Sequence, residues 1–194
     1  MKMVTRDNAL KILKDNIKEE SLLRHSFTVE AVMRHFAKLY NGDENEWGII
    51  GLLHDIDFER FPDEHCRKTR EILLPLNIPE HIVRAIESHG YNLVNDVKPE
   101  TDAEKILYTV DELTGLIYAS AILRPSKSIL DLETKSVKKK WKQKSFAANV
   151  SREVIEQGAQ MLGKPIEYVI EQTIEGMKIV ADEIGLRGNV GVSA

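Results

Sequence analysis

Six histidines are spread along the first half of the chain, at His25, His35, His54, His65, His81 and His89, and four of them fall on apolar stripes. His25 shares its stripe with Leu22, Val29 and Val32. His54 closes the run GIIGLLHDID, with Asp55 beside it. His65 lines up with Thr69 and Ile72, His89 with Ile82 and Ile86, and Asp111 with Leu107 and Thr114. Read at helical spacing, four imidazoles and two carboxylates project inward from five separate helices. Taken singly, each histidine reads better as a hydrogen-bonded core residue. Taken together, six buried polar groups need a compensating charge, because an unpaired buried carboxylate costs several kcal/mol or gives up its ionisation. A divalent cation supplies that charge, and imidazole with carboxylate suits zinc, iron, manganese, nickel or cobalt.

The elements that must position these groups read as helices throughout. DNALKILKDNI places Ala9 or Leu10, Leu13 and Ile17 on one face, with Asp7 as the expected cap, and Ser21 is the expected cap of SLLRHSFTVEAVMRHFAKLY. Asn41-Gly42 stops that helix. Pro62 is expected to start a helix running to about Leu74, and another runs from about Pro79 to Ser88. Residues 91–101 form a loop, and Asp102 opens the helix that carries Asp111. Two more helices are expected at roughly 151–162 and 165–184, and the Gly-rich tail 185–194 is expected to fray. No alternating β-branched segment competes. The fold class is therefore all-α, a helical globule in one domain over 1–194. Its metal-binding core covers about 5–120, with an added C-terminal helical part over about 121–184.

Composition narrows the class further. The 194 residues are 42% hydrophobic, enough for a real core, and 27 Lys+Arg against 31 Asp+Glu leave a net charge of −4. That acidic balance lacks the general footprint of a nucleic-acid binder, so nucleic acid is not an expected partner. The cluster KKKWKQK reads as a solvated helix face. One cysteine, Cys66, allows no intrachain disulfide and suits a reducing cytoplasm, and it reads as structural. No membrane-spanning run and no secretory h-region are found. His35, His81 and Asp57 read as surface residues, Asp57 having the further reading of a carboxylate that orients a ligand histidine.

The series His25 … His54-Asp55 … Asp111 resembles the HD superfamily of metal-dependent phosphohydrolases. GIIGLLHDID is similar to that family's signature helix, and DELTGLI to its final-aspartate helix. Through RPSKSILDLETKSVKKKWKQKSFAANVSRE the chain also resembles a subgroup of small bacterial and archaeal HD proteins described as predicted hydrolases. HCRKTREIL and AIESHG resemble the two extra histidine positions of dinuclear HD enzymes. The resemblance implies one metal on His25, His54, Asp55 and Asp111, and a second on His65 and His89 with Asp55 bridging. Asp55 and Asp111 would be the catalytic carboxylates, Asp111 also a proton acceptor. Many dinuclear members carry another histidine where this chain has Gly90, so the second ion is expected to be weaker, with water filling the gap. The GYP motif of the cyclic-dinucleotide subgroup is missing. Phe58 stands where the HD 5′-nucleotidases keep a glutamate.

The cofactor expected is thus one or two divalent ions (Fe, Mn, Zn, Ni, Co or Mg). Lys68, Arg124 and Lys127 are the expected contacts to substrate phosphate, Arg as a bidentate donor and Lys as a point charge. The function implied is hydrolysis of a phosphomonoester or phosphodiester in a nucleotide or other small phosphorylated metabolite. A di-iron HD oxygenase and a non-catalytic metal-stabilised binding module are the alternatives.

Overall fold

The computed structural model describes residues 4–190. Among these there are nine α-helices, three short 3-10 turns and no strand: α1 Arg6–Asn16, α2 Glu20–Tyr40, α3 Glu44–Leu53, α4 Thr69–Leu73, α5 Glu80–Glu87, α6 Asp102–Ile122, α7 Thr134–Trp141, α8 Arg152–Met161 and α9 Ile166–Lys178. The all-α expectation holds. No helix among the described residues is long and apolar enough to cross a membrane.

Two long helices, α2 and α6, form the middle of the molecule. α2 packs on α3, α6 and α9, and α6 packs on α2, α8 and α9. Their inner faces are fully buried: Val29, Val32, Met33 and Phe36 from α2, Ile106, Leu107, Val110 and Leu113 from α6. α3 lies close against α2 because Gly51 has no side chain. A Cβ there would meet the backbone oxygen of Val29 at 2.8 Å and Cα of Glu30 at 3.0 Å. That approach brings the end of α3, and with it His54-Asp55, alongside His25.

The helix ends follow local chemistry, though not always through the expected residue. Thr5, not Asp7, caps α1, its side chain accepting from the amide of Asn8. α2 begins one residue before Ser21, with no side-chain cap. Asn41 ends α2 in the left-handed region, as the Asn-Gly pair requires. α6 opens with a full capping box: Thr101 accepts from the amide of Glu104, and the Glu104 carboxylate accepts from the amides of Thr101 and Glu100.

Two further expectations are corrected. The helix from Pro62 to Leu74 is broken: a 3-10 turn spans Pro62–Glu64, and α4 starts only at Thr69. Cys66 between them has φ 62°, which no right-handed helix accommodates. The tail, as far as it is described, is docked rather than frayed. Leu186 is fully buried, its carbonyl accepts from the amide of Ile129 at 2.8 Å, and the amide of Asn189 donates to Ser126 at 2.8 Å. Residues 191–194 lie outside the described part. The C-terminal helices share the central core: Ile155, Val169, Ile170, Ile174 and Met177 join the same buried cluster as α2 and α6. Gly158 lets α8 close on α6, since a Cβ there would collide with the Thr109 side chain.

Candidate metal centre

The six predicted ligands converge, although only two of them lie in α-helices. His25 sits in α2 and Asp111 in the middle of α6. His54 is the residue after α3, and Asp55 follows in a turn. His65 lies in the irregular turn before α4, and His89 in the 3-10 turn Ser88–Gly90 that extends α5. The expectation of five helices overestimated regularity. Loop backbone lets neighbouring groups aim at one point where helical backbone would fan them out.

Two pairs of imidazoles face each other. His25 Nε2 is 3.0 Å from His54 Nε2, and His65 Nε2 is 3.1 Å from His89 Nε2. The two carboxylates lie between and beside them. Asp111 Oδ1 is 2.9 Å from His25 Nε2 and 3.3 Å from His54 Nε2. Asp55 divides its oxygens. Oδ2 faces the first pair, at 3.6 Å from His25 and 3.3 Å from His54, and Oδ1 faces the second, at 3.4 Å from His65 and 3.6 Å from His89.

The outer ring nitrogens decide what the inner ones can do. His54 Nδ1 donates to the carbonyl of Gly51 at 2.8 Å, and His89 Nδ1 to that of Ile86 at 2.5 Å. His65 Nδ1 donates to Asp57 Oδ1 at 2.8 Å. A neutral imidazole carries one proton. These three rings therefore turn a lone pair inward at Nε2, against one another and against carboxylate oxygens. Protonating the inner nitrogens relieves part of the conflict. Burial alone would push His54 down, but Asp55 and Asp111 beside it raise it to about 10. Burial likewise opposes the charge on His65, yet Asp57 helps to lift it to about 9. Protonation still leaves two positive N–H groups of His65 and His89 nose to nose. A cation within each pair resolves both conflicts, accepting lone pairs from the rings and balancing Asp55 and Asp111. The donor set fits a divalent transition metal, with the outer partners fixing ring orientation.

Two residues here, Cys66 and Arg24, were not read as functional from sequence, and for Asp57 the structure favours the second of its two readings, the carboxylate that orients a histidine, over the surface aspartate. Asp57 is fully buried, not on the surface, and also accepts from Thr69 Oγ1 at 3.1 Å and the amide of Lys68 at 3.2 Å. Cys66 is buried with Sγ 3.4 Å from His89 Nε2. Arg24, one residue before His25, lies over the Tyr118 ring at 5.8 Å and lines a hollow of about 230 Å³ with His25, Thr28 and Thr114. The adjacency of Arg24 to His25 was its only sequence signal. His35, expected on the surface, is half-buried, with Nε2 2.9 Å from Gln172 Oε1 in α9, whereas His81 is exposed as expected.

The expected phosphate contacts do not gather at the centre. Arg124 lies 13 positions beyond Asp111, about 20 Å along the helix direction, and its guanidinium is held by Asp131 at 3.0 Å. Lys127 follows in the same loop, packed against Gly188 of the docked tail. Lys68 offers its backbone amide to Asp57, while its ammonium pairs with Glu71 at 3.0 Å and Glu64 at 3.5 Å. Its side chain lines an outer groove of about 650 Å³ that none of the six convergent residues touches. The cavity at the centre is smaller, about 200 Å³. Its walls include Asp55, His65, His89 and Asp111 on the polar side, and Phe58 and Leu93 on the apolar side.

Residues 22–116, just under half of the chain, match the family model of the HD domain, which supports an HD superfamily domain over that span; HD domains are in general metal-dependent hydrolases that bind divalent ions. The matched span holds all six convergent residues. A tRNA (cytidine(56)-2′-O)-methyltransferase of Picrophilus torridus is 32% identical over 123 residues, which cover 57% of this chain and 36% of that protein. The chain thus spans about a third of the curated relative's length. No solved structure matches it significantly.

Proposed function

We propose that this protein is a metal-dependent phosphohydrolase acting on a nucleotide or another small phosphorylated metabolite. The observation that carries this reading is the convergence of four imidazoles with Asp55 and Asp111, of which His65, His89 and both carboxylates line the central cavity. His25, His54, Asp55 and Asp111 would hold one ion, and His65 and His89 a second, with one Asp55 oxygen for each. A divalent ion bound there supplies Lewis acidity toward a phosphoryl oxygen and makes water more acidic. A cavity of about 200 Å³ on an acidic protein favours a small molecule over a polynucleotide.

The protein's own groups have assignable tasks. The carbonyls of Gly51 and Ile86 and the Asp57 carboxylate keep protons on the outer ring nitrogens. Phe58 and Leu93 form an apolar lip that limits bulk water. Glu112 lines the cavity beside Asp111 and accepts from the amide of Ser151 at 2.9 Å. Burial raises its carboxyl above the ordinary glutamate value, so it is placed to hold a proton for a leaving group. Arg24, which lines the neighbouring hollow with His25 and makes no ion pair among the described residues, is the cation assigned to a substrate phosphate oxygen. The unpaired Cys66 thiol accords with a reducing compartment, the cytoplasm.

The test is elemental analysis of the purified protein, followed by a monoesterase and diesterase screen with added Mn²⁺, Co²⁺, Ni²⁺, Zn²⁺ and Mg²⁺. Since the relative is named for tRNA methylation, 2′-O-methylated nucleotides belong in that screen. Phosphate release that His54→Ala abolishes supports the reading. A metal-loaded protein that hydrolyses no phosphoester but consumes oxygen with bound iron overturns it in favour of an oxygenase.

A further inference from the structure

The second half of the centre contains a donor that the histidine series does not supply. His65 Nε2, His89 Nε2 and Cys66 Sγ lie within 4.8 Å of one another, and Asp55 Oδ1 is 3.4 and 3.6 Å from the two ring nitrogens. The sulfur is 3.4 Å from His89 Nε2 and 2% exposed. Consecutive residues in regular backbone point to different sides. His65 and Cys66 reach the same point because Cys66 adopts φ 62°, a conformation uncommon for a residue with a side chain. His89 is 4% exposed, its Nδ1 is committed to Ile86, and its Nε2 faces the lone pair of His65, the Asp55 carboxylate and this sulfur.

Gly90 makes room for the arrangement. A Cβ at that position would lie 2.9 Å from Cys66 Sγ, and 2.7 Å from both Asn95 Nδ2 and Val94 Cγ2. A side chain at this position would crowd the sulfur together with Asn95 and Val94, and at least one of the three would have to shift. The position that looked like a missing ligand is thus the space that admits a different one.

We propose that Cys66 is the fourth protein ligand of the second metal position, completing a Cys–His–His–Asp set of Cys66, His65, His89 and Asp55. The proposal rests on the metal-centre reading above and replaces the water expected opposite Gly90. On binding, the Cys66 S–H bond breaks, the sulfur–metal bond forms with the sulfur's electron pair, and the proton leaves to solvent. A set with one thiolate and two imidazoles favours Zn²⁺, Co²⁺ or Fe²⁺ and disfavours Mg²⁺, which takes oxygen donors. The two positions are therefore chemically unequal.

The experiment is titration of chelator-treated full-length protein with Co²⁺, followed by absorption spectroscopy. The expected result is two ions per chain and a thiolate-to-cobalt charge-transfer band in the near ultraviolet that grows with the second ion. Cys66→Ser should lose the band and weaken the second ion at least about ten-fold while leaving the first unchanged. X-ray absorption at the zinc edge of wild-type protein loaded with two Zn²⁺ should show one sulfur for every two zinc ions. This measurement needs no variant, so a misfolded Cys66→Ser protein leaves the question decidable. Two bound ions with neither charge-transfer band nor sulfur scatterer would overturn the Cys66 assignment and leave the hydrolase reading standing. Failure to bind any ion would overturn both.

Discussion

His65 and Asp57 are joined by a hydrogen bond of 2.8 Å that neither residue shares with solvent on the carboxylate side, Asp57 being fully buried. One oxygen of Asp57 fixes the ring of His65. The other accepts from Thr69 Oγ1 and the amide of Lys68 at the start of α4. The carboxylate therefore ties ring orientation to the backbone of the next helix.

Asp57→Asn should weaken metal binding about 10- to 100-fold, because the ring loses its fixed proton. It should also destabilise the fold by about 1–3 kcal/mol through one imperfectly satisfied buried group. Calorimetric metal titration and urea denaturation of the same sample check both. Thr69→Val should cost stability alone.

The divided carboxylate of Asp55 predicts an ordered set of losses. Asp55→Ala should lower occupancy of both positions, Asp111→Ala of the first, and His65→Ala of the second only. Elemental analysis after dialysis distinguishes the three. Removing metal with a chelator should lower the melting temperature of wild type, because binding to the folded state alone adds stability. Asp55→Ala, which removes an oxygen from each position, should show less further change on chelation than wild type.

Arg24→Ala should raise KM for an active phosphorylated substrate with a smaller effect on kcat, as expected for a cation that binds ground state and transition state alike. Arg124→Ala and Lys127→Ala should leave both constants unchanged. Steady-state kinetics on the three variants settles which cation meets phosphate.

The capping glutamate of α6 sets an acid limit on stability. Burial pushes the Glu104 carboxyl up, but Arg84 and the amides of Thr101 and Glu100 more than offset this and hold it below its ordinary 4.5. A native value below the unfolded one means that the stabilisation is complete above about pH 4.5 and is lost as pH falls through the native value. Wild type should therefore lose more stability than Glu104→Gln between about pH 5 and pH 3, measured by denaturation at each pH.

Much of this centre was legible because helical periodicity marks inward positions without any structure. The stripes of His25 and Asp111 are regular helix, and the Gly-spaced run GIIGLL announces a close helix contact before His54. The rest depended on irregular backbone. Cys66 and His65 face the same way only through one left-handed residue, which no periodicity encodes. Asp57, two residues past the HD pair, lies in a turn whose direction the spacing leaves open. Arg124 and Lys127 were drawn in by nearness in sequence to the Asp111 helix, but a helix carries its end away from its middle.

The contact of Gly158 with Thr109 bears on how this fold can be cut and joined. The HD match ends at residue 116, yet the helix bearing Asp111 rests on α8 and α9, and the tail to at least Asn189 stitches onto the loop after α6. A chimera or expression fragment trimmed to the recognisable motif would carry all six convergent residues and lose the floor beneath one of them. Grafting or shuffling is therefore expected to need the span from α1 through Asn189.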